Sequence, residues 1–316
     1  MAIVKPSAMD FSNKNIIMII SGLPGTGKTT LALSAPDVLL IDADCGLARV
    51  QPAHRKDASI CKTFDEVKAD VAAAKGQYKT IVVDTGGALV DMMKQYVIDH
   101  PDEFPGGSKK SGGISQSGFG YVKQLFLDFS AELRKSFNVV YIFHESVSKQ
   151  NDGIFYELIC EGSAKTLVYQ PADLAGHLFI TNGRRALGFT PTEEYTAKGA
   201  YGIRGVMTLP ELKEGDPNDF LTKLFDKVRE NLKAESATLA PQQKAYDELM
   251  ASVPGMMEAI TDAESANQFA GVLDTLPHAM TSKKEIGAIY KARCKEIGLT
   301  WDGKAKKWVA GDAKQE

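Results

Sequence analysis

Between about residues 15 and 210, short apolar runs alternate with longer stretches of mixed polarity. The runs at 16–20, 38–41, 81–83 and 139–143 read as buried strands. The stretches between them read as helices and loops. This alternation predicts an α/β fold, a mostly parallel sheet with helices on both faces. Three of the strands end in polar residues: Asp42 and Asp44, then Asp84, then His144 and Glu145. In an open α/β sheet the carboxyl edge is where ligands bind.

Farther on, residues 179–189 predict a hairpin turning at Asn182-Gly183. An amphipathic helix fits 218–233, and 234–241, ending in Pro241, reads as a linker. Helical segments near 242–252, 262–275 and 282–297 follow, then a stretch from Trp301 to Trp308 with Asp302-Gly303 as a turn. The predicted organisation is a core over 1–235 and a linker with a small, mainly helical domain over 236–316. One stretch breaks the alternation. Residues 101–120 are rich in glycine and serine and carry Lys109 and Lys110, which predicts a long polar loop.

Composition narrows the class. With 316 residues, 44% hydrophobic and 24% charged, the chain is an ordinary globular protein. A net charge of −3 confines any nucleic-acid contact to local patches. The four cysteines are far apart and read as reduced thiols, and the five histidines form no metal-binding cluster. Residues 1–8 have no long apolar core of the signal-peptide kind, and no apolar run approaches a membrane span. The expectation is a cytoplasmic protein without membrane contact.

The strand at 16–20 leads into Gly22-Leu-Pro24-Gly25-Thr26-Gly27-Lys28-Thr29, which fits GxxxxGK[ST] at every fixed position, and a helix begins after it. Strand, loop and helix in that order give the motif its meaning. The glycines let backbone amides turn inward around a polyphosphate, and the helix presents its positive end. Lys28 is placed to reach the β- and γ-phosphates of ATP, and the Thr29 hydroxyl to ligate Mg²⁺. Thr30 supports the loop or caps the helix. Asp84, closing a strand about fifty-five residues downstream, has the Walker B arrangement, a carboxylate that holds Mg²⁺ through water. Asp42 or Asp44 is a candidate to orient the attacking water, with a turn aspartate as the alternative. His144 is a candidate γ-phosphate sensor or a satisfied strand-end histidine. Lys198 and Arg204 are candidates to complete a neighbouring subunit's site, with Arg184 and Arg185 as rivals and a plain surface cation as the alternative for each.

On these segments the chain resembles the RecA-like division of P-loop ATPases, and more closely the phage-encoded RecA-core proteins grouped with Sak-type single-strand annealing proteins. The resemblance covers about residues 14–235. It rests on 22–30, 40–47, 81–85, the strand ending at His144-Glu145, and 197–202. It implies that Asp44 stands where the family carries a water-activating glutamate, one methylene shorter here. It also implies that His144 senses nucleotide and that Lys198 acts across a subunit interface. Single-stranded DNA would meet the loops at 101–120 and 146–153, through Lys109, Lys110 and Lys149 and by stacking on Phe119 or Tyr121, with a solvated loop and core-facing aromatics as the alternatives. The implied partners are single-stranded DNA, further copies of the chain in a ring or filament, and a single-stranded-DNA-binding protein, in the cytoplasm of a bacterial host.

The tail adds a second candidate surface. From 281 to 310 there are eight Lys/Arg against three Asp/Glu, with Tyr290, Trp301 and Trp308 among them. Basic residues mixed with aromatics suit single-stranded DNA, and the tryptophans equally suit the core of a small domain. The leading reading is an ATP-hydrolysing protein that promotes annealing or strand exchange. The alternatives are an ATP-switched adaptor or helicase loader and, farther off, a small-molecule kinase, which would need more arginines in closing loops.

Overall fold

The computed structural model describes residue 11 and residues 13–150, 153–160 and 167–311. These divide into two units, one spanning 13–231 and the other containing 232–311. In the larger unit, β1 (Ile17–Gly22) is flanked in parallel by β5 (Asn138–Gln150) and β7 (Leu174–Thr181). Beyond β5 lie β4 (Thr80–Asp84), β2 (Val38–Asp42) and the short β3 (Asp57–Ser59), all parallel. Beyond β7 the sheet turns antiparallel through β8 (Arg184–Gly188) and β9 (Val206–Thr208). The fold is therefore α/β with a mostly parallel central sheet.

Alternate residues of the central strands, among them Ile17, Ile19, Ile81, Val83, Val139 and Tyr141, face one core. It is closed by Val67 of α2 (Phe64–Ala74), Met93 of α3 (Gly86–Asp99) and Phe126 of α4 (Gln116–Ser136). The intervening residues Met18, Ile20, Leu40, Val82 and Val140 are buried as well. On their side lies α1 (Lys28–Ala32), against β1 and β5. The first turns of α5 (Phe220–Glu258) are tied to the end of α1, because Ser34 Oγ accepts the Leu221 amide at 2.9 Å. At Asn182 and Gly183, φ of 49° and 74° makes the left-handed turn expected between β7 and β8.

Three expectations change. Residues 101–120 are not one long loop: Ser115 Oγ accepts the Gly118 amide at 2.9 Å and starts α4 at Gln116. Tyr121 therefore sits on a helix, its ring 5.3 Å from Phe104 and its hydroxyl on the Pro105 carbonyl. Second, 146–153 is not a loop. β5 continues to Gln150 and pairs antiparallel with β6 (Gly153–Leu158), while residues 151 and 152 lie outside the described residues. Third, the linker at 234–241 is helical and continuous with α5, which runs through Pro241 and Pro254. Alanine, glutamate, leucine and glutamine on both sides favour helix strongly enough to outweigh the ring's missing hydrogen bond.

The smaller unit holds the later part of α5, α6 (Ala263–Leu273), α7 (Ser282–Glu296) and a hairpin of β10 (Leu299–Asp302) and β11 (Lys307–Ala310). Its core is Leu249, Val253, Met257, Ile286, Tyr290, Cys294 and Trp308.

Among the close approaches that require glycine in the larger unit, the one at Gly22 joins two central strands. A Cβ on Gly22 would stand 2.4 Å from the Leu178 carbonyl oxygen. Gly22→Ala must push β7 away from β1, so it should lower unfolding stability by about 1–3 kcal/mol. Urea denaturation measures this, and an unchanged midpoint would contradict the packing described.

Candidate functional site

The parallel register brings the ends of β1, β2 and β4 and the middle of β5 to one edge. Gly22 is opposite His144 across β1 and β5, and Asp42 is opposite Asp84 across β2 and β4. The loop after β1 turns through Gly27, whose φ of 95° is a left-handed conformation that suits a residue with no Cβ, and α1 begins at Lys28. Within this loop Thr26 Oγ1 donates to the Leu23 carbonyl at 2.9 Å. Pro24 is exposed at the loop's tip.

Lys28 is only 4% exposed, and its ammonium donates to the carbonyls of Gly22 and Leu23, each at 2.9 Å. Burial pushes its pKa below the ordinary lysine value, against the pull of the Asp84, Glu145 and Asp44 carboxylates. Thr29 Oγ1 donates to Asp84 Oδ2 at 2.6 Å, so the hydroxyl and the carboxylate suited to Mg²⁺ already meet. Asp84 is itself buried, and desolvation first of all raises its pKa from 3.8 to about 6. The neighbouring charges of Asp44 and Asp42 add to the rise, while the Thr29 hydrogen bond and Lys28 oppose it.

The two acids after β2 have separate tasks. Asp42 is buried and accepts the amides of Gly46 and Leu47 at 2.7 and 3.1 Å, which curls the chain after the strand. Asp44 stays in the cleft, with Arg49 Nη2 at 3.3 Å from Oδ2 and His144 Nε2 at 3.8 Å. Arg49 is 70% exposed, so this ion pair is weak and readily exchanged. Burial, then the Lys28 charge, lowers the His144 pKa and keeps the ring neutral at neutral pH. Its Nδ1 is buried without a hydrogen-bond partner among the described residues.

These side chains line one cavity of about 410 Å³, a volume that suits a small-molecule ligand. Gly25, Gly27, Lys28, Thr29, Thr30, Asp44, Asp84 and His144 all border it. Sequence reasoning missed three of its walls. Arg185 on β8 borders it, and its Nε donates to the Thr26 carbonyl at 2.8 Å. An arginine that was only a rival candidate for a neighbouring subunit's site thus meets the phosphate loop of its own. Arg49 arrives because Asp42 curls the segment before it. The third wall is apolar, with Leu209, Pro210, Leu212 and Phe220, and is fastened where Asn218 Nδ2 donates to the Thr30 carbonyl at 2.8 Å. The two prolines of the stretch, Pro210 and Pro217, were its only sequence signal.

Beneath the loop a buried pair went unread. His177 Nδ1 lies 3.0 and 3.1 Å from the Glu145 carboxylate oxygens, joining the strands on either side of β1. Tyr195 stacks on His177 with ring centroids 4.2 Å apart.

Other candidates lie outside the cavity lining. Lys198 donates to the Ala172 carbonyl at 2.5 Å, while Arg184 and Arg204 are exposed. Lys109, Lys110 and Lys149 are exposed too, Phe119 is half-buried on α4, and Tyr121 is packed as described above.

The donor set fits a Mg²⁺-bound triphosphate: a glycine loop leading into a helix, a buried ammonium held by carbonyl oxygens, and a hydroxyl beside a carboxylate. A family model described as an AAA domain matches residues 14–201. Comparison with curated proteins gives no match.

The raised Asp84 pKa has a measurable consequence. The folded state binds this proton more tightly than the unfolded chain, so stability falls as pH rises from 3.8 to about 6 and stays lower above that. Asp84→Asn removes the cost. In nucleotide-free protein it should stabilise at pH 7 by up to about 3 kcal/mol, several degrees in Tm, and hardly at all at pH 4. Thermal melts at both pH values test this, and equal shifts would contradict it.

Proposed function

Since the chain belongs to the AAA-domain family of P-loop ATPases, we propose that its cleft binds and hydrolyses ATP to drive work on single-stranded DNA. The observation that carries the ATPase reading is the pairing of Thr29 with Asp84 beside Lys28, in a cleft that also holds Asp44 and His144. Lys28 counters the charge of the β- and γ-phosphates, exchanging weak carbonyl contacts for ionic ones. Thr29 and Asp84 would hold Mg²⁺, which would draw charge from the phosphate oxygens. Asp44 accepts a proton from the attacking water as its oxygen bonds to the γ-phosphorus and the bond to the leaving diphosphate breaks. Before that, Asp44 must part from Arg49. The neutral His144 ring offers its Nε2 edge to the same region.

The DNA reading is supported by the resemblance of the motif order to recombination ATPases and by the position of the basic residues. β5 leaves the cleft at His144 and runs without a break into the β5–β6 ribbon, where Lys149 is exposed. A change at His144 is therefore five residues along one strand from a surface cation. Lys109 and Lys110 sit on the polar turn before α4. Annealing or strand exchange of phage DNA by an oligomer of this chain is the activity proposed, with Lys198 and Arg204 serving a neighbouring subunit. The short Asp44 side chain and its bond to Arg49 favour a second reading, an ATP-switched adaptor or loader in which turnover is dispensable.

Turnover assays separate the two. Lys28→Ala should lose ATP binding and hydrolysis together. Asp44→Asn should keep binding and lose about 10²–10⁴ in rate, as expected for a general base. Single-stranded DNA should raise the wild-type rate. If Asp44→Asn anneals complementary strands as well as wild type, the switch reading replaces the hydrolytic one. A wild-type protein that binds no single-stranded DNA at low salt removes the DNA reading altogether.

A further inference from the structure

The sequence left Trp301 and Trp308 open between a DNA surface and a small core, and the structure gives them opposite fates. Trp308 is 6% exposed and belongs to the core of the smaller unit, whereas Trp301, directly across the β10–β11 ladder, is 52% exposed. We propose that this hairpin is a binding site for single-stranded nucleic acid, with Trp301 as the base-stacking platform and Lys304, Lys306 and Lys307 as the phosphate contacts. The proposal deepens the DNA-binding reading above and takes its partner class from it.

The platform is rigid. Strands of four residues are marginal on their own. Here Asn267 clamps β11, its Nδ2 donating to the Trp308 carbonyl at 2.9 Å and its Oδ1 accepting the Trp308 amide at 2.8 Å. Trp308 packs edge-on to Tyr290, and Trp301 edge-on to Trp308 with centroids 5.6 Å apart. The exposed indole is thus held by the core behind it, so little freedom is lost when a base stacks on it.

The turn beside it carries a positive surplus, three lysines against the single carboxylate of Asp302. All three lysines are exposed and follow Trp301 within six residues of chain. The three acids of the 281–310 stretch are already engaged. Asp302 Oδ1 accepts the turn amides of Lys304 and Ala305 at 2.8 and 3.0 Å, Glu296 pairs with Arg293 at 3.1 Å, and Glu285 accepts from Tyr246 and Thr281. A cationic turn beside an aromatic face matches a polyphosphate chain with unpaired bases. A duplex, whose bases are already stacked on one another, offers the indole nothing to stack on.

The test uses the full chain without nucleotide and a labelled oligothymidylate in fluorescence anisotropy. Trp301→Ala should weaken binding about 5- to 100-fold, while Trp301→Phe retains most of it. Replacing the three lysines by glutamine should lower the slope of log affinity against log salt by about 2. In Trp308→Phe, Trp301 is the sole tryptophan, and its emission should be quenched on binding. Circular dichroism melts of each variant confirm that the exposed substitutions leave the fold intact. If wild type binds and the hairpin variants bind equally well, this site falls and the wider DNA reading stands. If wild type binds no oligothymidylate, this site falls, and if it binds none with ATP and Mg²⁺ added either, the wider reading falls with it. Duplex DNA binding as tightly as the single strand, with Trp301 unquenched, also overturns the site.

Discussion

The burial of the Lys28 ammonium is the constraint on which the rest of the site depends. A charge held out of water with two carbonyl oxygens as its partners is poorly compensated, and it depresses its own pKa. Such a group is stable in the fold only because the loop around it is fixed, by Gly22 against the Leu178 carbonyl and by the turn at Gly27. The same burial raises the Asp84 pKa, although Thr29 and Lys28 both pull it down. Opposite charges a short distance apart are each incompletely satisfied, and an anion with its own divalent counter-ion answers both.

The parallel sheet makes this possible by geometry alone. β5 lies between the strand that feeds the phosphate loop and the strand that ends in Asp84. Its mid-strand residue His144 is therefore delivered to the cleft beside Asp44. The continuation of β5 into the ribbon gives a physical route from cleft to surface. Glu145 and His177, buried side by side under the loop, join the strands that flank β1 and keep these ends in register.

Much of this was legible before any coordinates, and the reason is local. Apolar runs that end in Asp84 or His144 declare both a strand and the chemistry at its tip, and the phosphate loop declares its own backbone. What was not legible depends on tertiary approach. Asp42 and Asp44 look alike in sequence, yet one shapes a turn and the other faces the cleft. Arg185 and the wall at 209–220 are distant in sequence, and nothing near them shows that they close the cleft of their own chain. Tyr121 looked free because the residues before it are glycine and serine, but Ser115 caps a helix that turns its ring onto Phe104. The stretch at 234–241 looked like a linker because of Pro241, whose effect its helix-favouring neighbours outweigh.

The central claim is that the cleft at the end of β1 is built for a triphosphate with Mg²⁺. Isothermal titration calorimetry of the intact chain with ATP and ADP in magnesium buffer tests it most directly. The account predicts saturable binding of both at one site per chain, lost in the Lys28→Ala variant. No heat from wild-type protein with either nucleotide, or equal binding by that variant, would contradict it.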